Sequence, residues 1–224
     1  MASHETTLTG RKEIAAGTMA FHFAKPPGFS FKPGQAVDIA LPDDSHRLFS
    51  LVSAPFEERL TVATRMRAGS AFKRALGTLP PGAKLKLKGP QGVMTLHEDR
   101  ARAAVLIAGG IGITPFMSML RQAAHDRLAQ RLFLLYSNRR PEDAAFLAEL
   151  QGIARQNPDL RLLARMTDVD GIINEETVQR FVDDAAAPVY YLAGPPGMVE
   201  AMSAILKRAG VGDDDVRSEE FYGY

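Results

Sequence analysis

Cysteine is absent from the 224 residues of this chain. Its absence excludes disulfide bonds, thiolate zinc sites and cysteine-ligated iron–sulfur clusters on the chain itself. The chain also lacks any apolar run near the roughly 18 residues that a membrane-spanning helix needs, and its first residues lack the apolar segment of a secretion signal. We therefore expect a cytoplasmic protein without a membrane segment. The histidines are scattered and give no ligand spacing for a metal.

Excess charge of either sign is also small, since 27 lysines and arginines face 26 aspartates and glutamates, for a net charge of +1. This balance excludes the strongly basic character typical of nucleic-acid binding. Residues 1–100 hold 14 basic and 9 acidic side chains, a net +5, whereas residues 101–224 hold 13 and 17, a net −4. A basic first half would suit an acidic partner protein, and a mixed, solvated surface is the plainer interpretation.

The first part of the chain carries short strand patterns separated by turn residues. Strands are expected around residues 19–23, 37–41, 48–53 and 60–66, and lysine alternates with leucine over residues 84–88. Proline and glycine mark the turns between them. Many short strands with little helical periodicity are typical of an antiparallel sandwich or barrel.

Near residue 99 the pattern changes to apolar strands that alternate with amphipathic helices. Strands are expected at residues 103–108, 132–136, 160–164, 189–193 and 216–219, and helices follow the first four of them. This alternation is typical of a parallel sheet. We therefore divide the chain into an antiparallel β domain over residues 1–98 and an α/β domain over residues 99–224.

The stretch over residues 103–116 joins the first parallel strand to its helix. An apolar run ends in glycines, after which Thr114 is a good N-cap and Pro115 suits the first position of a helix. Free backbone N–H groups at a helix start, with glycines that let a ligand approach closely, form an anion site suited to a dinucleotide pyrophosphate. The spacing departs from the usual three-glycine fingerprint, and a tight turn without a ligand is the alternative.

Two stretches of the first domain carry further candidates. Arg47 and Phe49 alternate along one strand, where an arginine beside an aromatic ring could hold a phosphate and stack on a flat ring. Residues 65–72 run from a strand through Gly69 and Ser70 into a short helix, whose first N–H groups would suit an anion. Taken alone, a surface arginine beside a half-buried phenylalanine is the plainer interpretation of the first stretch.

Six motifs together resemble the ferredoxin–NADP reductase family in order and spacing over nearly the whole chain. They lie at residues 33–35, 47–53, 69–70, 89–92, 109–115 and 193–198. The resemblance implies an N-terminal antiparallel Greek-key β-barrel that binds flavin, followed by a C-terminal α/β domain with a parallel sheet that binds a nicotinamide coenzyme. The flavin and the nicotinamide would meet at the cleft between the two domains.

In the first domain, the resemblance makes Arg47 the contact to the flavin diphosphate and places Leu48 on the same flavin-binding strand. Phe49 stands where the family usually has tyrosine and would pack on the flavin ring. Ser50 would hydrogen-bond near flavin N5.

The resemblance also implies which residues bind the pyrophosphate of FAD and the nicotinamide coenzyme. The turn at Gly69 and Ser70 matches the family's pyrophosphate turn, which favours FAD over FMN. Ala193 stands where many relatives have a cysteine close to the reacting carbon. The residues assigned to the coenzyme are Gly110, Gly112, Thr114, Pro115, Ser137, Arg139, Arg140, Gly194, Pro195 and Met198. Two arginines without an acid after the second parallel strand give a slight preference for NADPH over NADH.

The end of the chain resembles the family's ending of a glutamate followed by an aromatic residue. Glu219 is expected near Ser50, and Phe221 is expected to cover the flavin face that the nicotinamide must reach. Tyr222 or Tyr224 could supply this ring instead. Ser50, Glu219 and Phe221 are thus the candidate catalytic residues, with Ser50 and Glu219 orienting groups and handling protons at the flavin.

The resemblance implies a flavoprotein reductase that passes a hydride from NADPH or NADH to FAD. Electrons would then move to a separate acceptor such as a ferredoxin, a flavodoxin or an oxygenase component, and an acidic protein would suit the basic first half. The alternative is a non-catalytic module that senses flavin or nucleotide on the same scaffold.

Overall fold

The computed structural model describes residues 2–182 and 185–222. The strands in these ranges are β1 (Ser3–Ala15), β2 (Thr18–Ala24), β3 (Ala36–Ala40), β4 (His46–Ser50), β5 (Arg59–Arg65), β6 (Lys84–Gln91), β7 (Ala104–Gly109), β8 (Leu132–Asn138), β9 (Leu160–Met166), β10 (Val189–Gly194) and β11 (Val216–Glu220). The helices are α1 (Ala71–Thr78), α2 (Ile113–His125), α3 (Leu147–Gln156), α4 (Thr167–Asp170), α5 (Glu175–Phe181) and α6 (Pro196–Arg208).

The first six strands form an antiparallel sheet in the order β4-β3-β6-β1-β2-β5. A bridge between Leu51 and Val62 joins the two edges of this sheet, beside a hydrogen bond from the Val52 N–H to the Thr61 carbonyl (2.8 Å). The sheet therefore closes into a barrel whose seam lies between β4 and β5, with β6 inserted between β3 and β1. The predicted antiparallel barrel is confirmed.

The sequence patterns do not predict β1, the longest strand. Of its 13 residues, Leu8 is the one fully buried apolar side chain, so the strand lacks the alternation of a half-buried strand. β1 nevertheless pairs with both β2 and β6. Its backbone hydrogen bonds on both edges, rather than apolar burial, hold it in the barrel.

The second sheet is parallel, in the order β11-β10-β7-β8-β9. All six residues of β7 are buried, because helices cover both faces of the sheet. Phe116 of α2 and Leu150 of α3 belong to the apolar cluster on one face, and Val178 of α5 and Met202 of α6 belong to the cluster on the other. This arrangement confirms the predicted α/β domain.

The helix after β7 begins earlier than the sequence predicts. Gly110–Gly112 already form a 3₁₀ turn that leads directly into α2, whose N-cap is Gly112. The Thr114 hydroxyl donates to the Ile111 carbonyl (3.0 Å) rather than to a free N–H of the first turn. The prediction of Thr114 as N-cap and Pro115 as first helical residue is therefore wrong, because the glycine turn itself winds into the helix.

The two sheets are held together by a clamp at Arg121 of α2. Its guanidinium binds both carboxylate oxygens of Glu149 (2.7 and 2.9 Å) in the second domain. It also donates to the Glu57 carboxylate (3.2 Å) and the Val52 carbonyl (3.3 Å) of the first. A second link is the hydrogen bond from the Ser118 hydroxyl to the Ser53 carbonyl (2.7 Å). The contacts to Glu57 and Val52 cross between the domains, and the pair with Glu149 holds the guanidinium in place for them.

The strands of the first sheet end at Gln91 and those of the second begin at Ala104. The predicted boundary between residues 98 and 99 lies in the connecting segment and stays a prediction. Within the described parts of the chain, none of the helices has the length and apolar character required to cross a membrane.

Candidate functional site

The open seam between β4 and β5 forms a cleft of about 680 Å³, which we call the seam cleft. Ile111 and the end of β11 close it from the second domain. Its lining residues are Arg47, Leu48, Phe49, Ser50, Ala63, Thr64, Arg65, Arg67, Gly69, Ser70, Lys73, Ile111, Glu219, Glu220, Phe221 and Tyr222. The structure thus brings together every residue that the sequence assigns to the flavin, apart from Tyr224, which lies outside the described residues.

Four cationic side chains line the seam cleft: Arg47, Arg65, Arg67 and Lys73. Burial lowers the pKa of the Lys73 ammonium, and the neighbouring Arg67 charge lowers it further. The Lys73 Nζ donates to the Arg65 carbonyl (2.9 Å). Cations that line one cleft repel each other unless an anion neutralises them. The part of the cleft near these side chains is therefore suited to a phosphate-bearing ligand.

The turn at Gly69 and Ser70 leads into α1 at the same end of the cleft. Ser70 is the N-cap of α1, and its hydroxyl oxygen accepts from the Lys73 N–H (3.3 Å). The Arg47 guanidinium lies over the Phe72 ring of α1 at 5.9 Å. The helix start and the β4 arginine therefore face the same part of the cleft.

A partly buried pair lies at the other end of the seam cleft. The Ser50 hydroxyl donates to the Glu219 carboxylate at 3.5 Å, although the two residues are 169 positions apart. Burial raises the pKa of Glu219 above its ordinary value, and the hydrogen bond from Ser50 offsets part of that effect. Glu219 can therefore hold a proton at a pH where an exposed glutamate has lost it.

The aromatic residues after β11 differ in position. The Phe221 N–H donates to the Gly194 carbonyl (2.9 Å), and its partly buried ring packs against the core of the second domain. Tyr222 is 77% exposed, and its hydroxyl donates to the Glu220 carboxylate. Both residues line the seam cleft, so the structure leaves two candidates for the ring that covers a ligand there.

A second cavity of about 390 Å³, the strand-end cavity, lies at the carboxyl ends of the parallel strands. It is lined by Thr18, Arg65, Ile107, Gly109, Gly110, Ile111, Ser137, Asn138, Arg139, Asp143, Thr167, Ile172, Ile173, Pro195, Gly197, Met198, Ala201 and Met202. Ligands of open α/β sheets bind in this position.

Glycines bring the strand ends close together at this cavity. A Cβ on Gly194 would lie 2.7 Å from the Met198 Cε and 3.0 Å from the Gly109 N. Gly110 has a φ of +52°, which glycine adopts without strain. The backbone of the turn therefore forms the cavity wall directly.

Several residues assigned to the coenzyme lie behind this wall rather than on it. Gly112, Thr114 and Pro115 are buried in the start of the helix. A Cβ on Gly112 would overlap the Ala193 carbonyl and lie 2.7 Å from the Gly194 N. The close approach of α2 to β10 therefore accounts for Gly112. The roles of these residues toward a coenzyme stay predictions.

Arg65 and Ile111 line both cavities. Sequence reasoning gave Arg65 no role, although it stands at the end of β5 just before the Gly69 turn. Its guanidinium lies 3.6 Å from the buried Asp143 carboxylate of the second domain. The two cavities are thus neighbours that share two lining side chains, one of them a cation.

Residues 106–204 match the family model of the oxidoreductase NAD-binding domain. The chain is 29% identical over 212 residues to the reductase component of propane 2-monooxygenase from Mycolicibacterium smegmatis, covering 88% of this chain and 61% of that one. It is 33% identical over 147 residues to ferredoxin–NADP reductase B from Sorangium cellulosum, covering 64% and 60%.

A crystal structure of a ferredoxin NADP⁺ reductase from Neisseria gonorrhoeae, with bound FAD and NADP, superposes with a TM-score of 0.82. That match covers 97% of this chain and 98% of the other at 19% identity, so it shows the fold alone. The chain is similar in sequence and in fold to ferredoxin–NADP reductases. It spans about 60% of the length of the two relatives described above.

The similarity to ferredoxin–NADP reductases agrees with the placement of the motifs. The β4 motif lines the seam cleft, and Gly109–Ile111 and Pro195–Met198 flank the strand-end cavity. Phe49 and Ala193, the two positions at which the sequence departs from the resemblance, are both buried.

Proposed function

We propose that this chain is a reductase that passes a hydride from a nicotinamide coenzyme in the strand-end cavity to FAD in the seam cleft, and then electrons to a separate acceptor. The observation that carries the proposal is the wall of Arg65 and Ile111 that both cavities share. Two rings bound on either side of it need only a small movement of side chains to meet. Bringing two reactants together in this way removes much of the barrier to their reaction.

The residues of the seam cleft fit FAD. Three cations, Arg47, Arg67 and Lys73, together with the start of α1 would hold a diphosphate, which FAD has and FMN lacks. Phe49 lines the cleft beside Ser50 and offers an aromatic surface for a flat ring. The relative from Neisseria gonorrhoeae carries FAD in the same fold.

A bound flavin would supply the capacity to take up a hydride and to release electrons singly. The chain's own contribution is to bind, to orient and to hold a proton. Arg47 would anchor the phosphate end, and the Ser50 hydroxyl would donate toward the ring. Because burial raises the pKa of Glu219, its carboxyl, 3.5 Å from the Ser50 oxygen, would keep its proton to a higher pH than an exposed glutamate does.

The strand-end cavity would hold the coenzyme with backbone groups. Gly110 and Ile111 would face the pyrophosphate, and Pro195 and Met198 would lie beneath the nicotinamide ring. Phe221 would have to move from the seam cleft before the two rings could stack, so we propose that it acts as a gate.

The names of the relatives support a protein acceptor. They include the reductase component of propane 2-monooxygenase and the electron transfer component of toluate 1,2-dioxygenase. We propose an acidic acceptor protein for the basic barrel, in the cytoplasm. Because the chain contains no cysteine, an iron–sulfur cluster would have to lie on the partner or on another chain segment.

The flavin content of the purified protein tests the proposal. We expect a yellow protein that releases FAD, rather than FMN, on heat denaturation. A folded protein that is colourless and takes up neither added FAD nor FMN would contradict the reductase function. The alternative of a non-catalytic sensor predicts bound flavin that the coenzyme does not reduce.

A further inference from the structure

We infer that Asp168 makes the strand-end cavity selective for NADH over NADPH, an inference that rests on the proposed function. The two coenzymes differ only at the adenosine ribose, where NADPH carries a 2′-phosphate and NADH a hydroxyl. The charges around that ribose therefore decide between them.

The position of the ribose follows from the two cavities. Ile111, after β7, and Met198, after β10, line the part of the strand-end cavity nearest the seam cleft and would take the nicotinamide half. The adenosine half must then reach the other end, toward β8 and β9. Arg139, Thr167 and Ile172 line that end. The 71% exposed Ile172 offers an apolar surface to an adenine ring.

Asp168 directly follows Thr167 and is paired with Arg139, which lines the same end of the cavity. Its N–H donates to the Arg139 carbonyl (3.2 Å), and both of its carboxylate oxygens lie 3.3 Å from the Arg139 Nε. The guanidinium that could bind a 2′-phosphate is therefore already paired with a carboxylate, in an exposed ion pair. A carboxylate at this position accepts a hydrogen bond from a ribose hydroxyl and repels a phosphate.

The neighbouring arginines are also held by acids. The Arg140 Nε lies 3.3 Å from the Glu142 carboxylate and 3.4 Å from that of Asp143. Asp143 also faces the Arg65 guanidinium. The guanidiniums of Arg65, Arg139 and Arg140 thus meet three carboxylates, so these pairs leave no net positive charge for a phosphate that carries nearly two negative charges.

A fourth arginine nearby is committed to the chain itself. Arg165 of β9 donates to the Thr177 hydroxyl (2.9 Å) and to the Asp170 carbonyl (2.6 Å). It fixes the loop that carries Asp168 and Ile172. A 2′-phosphate would have to displace one of these bonds to gain a cation, whereas a 2′-hydroxyl fits the existing charges.

This inference reverses the slight preference for NADPH that the two arginines suggest in the sequence. The pairing partner Asp168 lies 29 residues after Arg139, so the sequence alone does not connect them. The names of the relatives do not decide the matter, since they include both an NADPH oxidoreductase and a ferredoxin–NAD(P)⁺ reductase component.

Calorimetric titration of the flavin-loaded protein with NAD⁺ and with NADP⁺ tests the inference, because it measures binding without chemistry. We expect NAD⁺ to bind at least about tenfold more tightly. Asp168→Asn keeps the side-chain shape, removes the charge and frees Arg139, so it should reduce this ratio by about tenfold, mainly through tighter NADP⁺ binding. Glu176→Gln is the matched control, since it breaks another exposed arginine–carboxylate pair, with Arg180, away from the cavity.

Equal or tighter binding of NADP⁺ to the unmodified protein would overturn the inference, and so would an Asp168→Asn ratio equal to that of the Glu176→Gln control. Reduction of the flavin by both coenzymes with equal affinities would overturn the inference alone. The expected binding ratio without any flavin reduction would overturn the proposed function and leave the selectivity of the site intact. Failure of both nucleotides to bind would overturn both.

Discussion

The seam cleft and the strand-end cavity differ in the groups that line them. The seam cleft presents charged and aromatic side chains from β4, β5 and α1, so its affinity depends on what those side chains carry. The strand-end cavity is walled by glycine backbone between β7 and β10, where the main chains approach too closely for a Cβ. One cavity can therefore change its ligand by substitution, whereas the turn of the other cannot change without disturbing the sheet.

Gly112→Ala should have the largest effect, because it inserts a Cβ between α2 and β10. The new methyl group would meet backbone atoms of Ala193 and Gly194, which cannot rotate away. We expect a loss of about 3 kcal/mol in the free energy of unfolding, measured by urea denaturation. Gly197→Ala, in α6 of the same domain, meets nothing within 4 Å and should be neutral or stabilising. Equal stability of the two variants would contradict the close-packing account.

Arg47→Ala should act on the ligand rather than on the fold. Removing one charge-assisted contact to a phosphate costs about 1.5–3 kcal/mol, or about ten- to a hundredfold in flavin affinity. The retained flavin can be measured by absorbance after dialysis, with circular dichroism to verify folding. Arg59→Ala, on β5 outside the cleft, is the control and should retain its flavin. Full flavin retention by Arg47→Ala would mean that the cations of the cleft do not hold the ligand.

Arg121→Met should weaken the contact between the two domains and so disturb the alignment of the two cavities. The substitution leaves the Glu57 and Glu149 carboxylates without their shared cation, and we expect a loss of about 1–2 kcal/mol in stability. Reduction of a bound flavin by the coenzyme should slow more than the affinity of either ligand falls. Arg155→Met, on exposed α3 surface, should change neither quantity. An unchanged reduction rate would show that the clamp does not set the alignment.

Glu219→Gln should have the smallest effect on stability, and the effect should depend on pH. Because burial raises the pKa of Glu219, the unfolded chain loses this proton first as the pH rises. The wild type therefore loses stability between the ordinary glutamate pKa and the raised one, and the loss persists at neutral pH. The glutamine variant should not show this loss, and the two proteins should converge at acid pH. Parallel pH–stability curves would contradict the buried position of the carboxyl group.

Much of this architecture follows from the sequence, because apolar periodicity reports burial directly. The parallel strands were predicted close to their observed ends, since their residues are buried on both faces. β1 escaped prediction because its hydrogen-bonded neighbours, and not its side chains, hold it. The predicted start of α2 was too late, because Thr114 matches the usual N-cap pattern. In the structure, Gly110–Gly112 already form a helical turn.

The candidate site was predictable where its residues are contiguous and not where distant residues meet. The β4 motif and the Gly69 turn stand in order along the chain, and both line the seam cleft. The roles of Arg65 and Asp168 depend on Asp143 and Arg139, which come from other strands. No local sequence pattern predicts such ion pairs, so they could be identified only from the structure.

The most direct test of the central claim, that the two cavities meet at a wall that rings can cross, is an anaerobic stopped-flow experiment. The flavin-loaded protein is mixed with one equivalent of NADH, and the flavin absorbance is followed over time. The account predicts bleaching to completion within the first turnover. Persistent flavin absorbance, although calorimetry shows the nucleotide bound, would contradict it and favour a non-catalytic sensor.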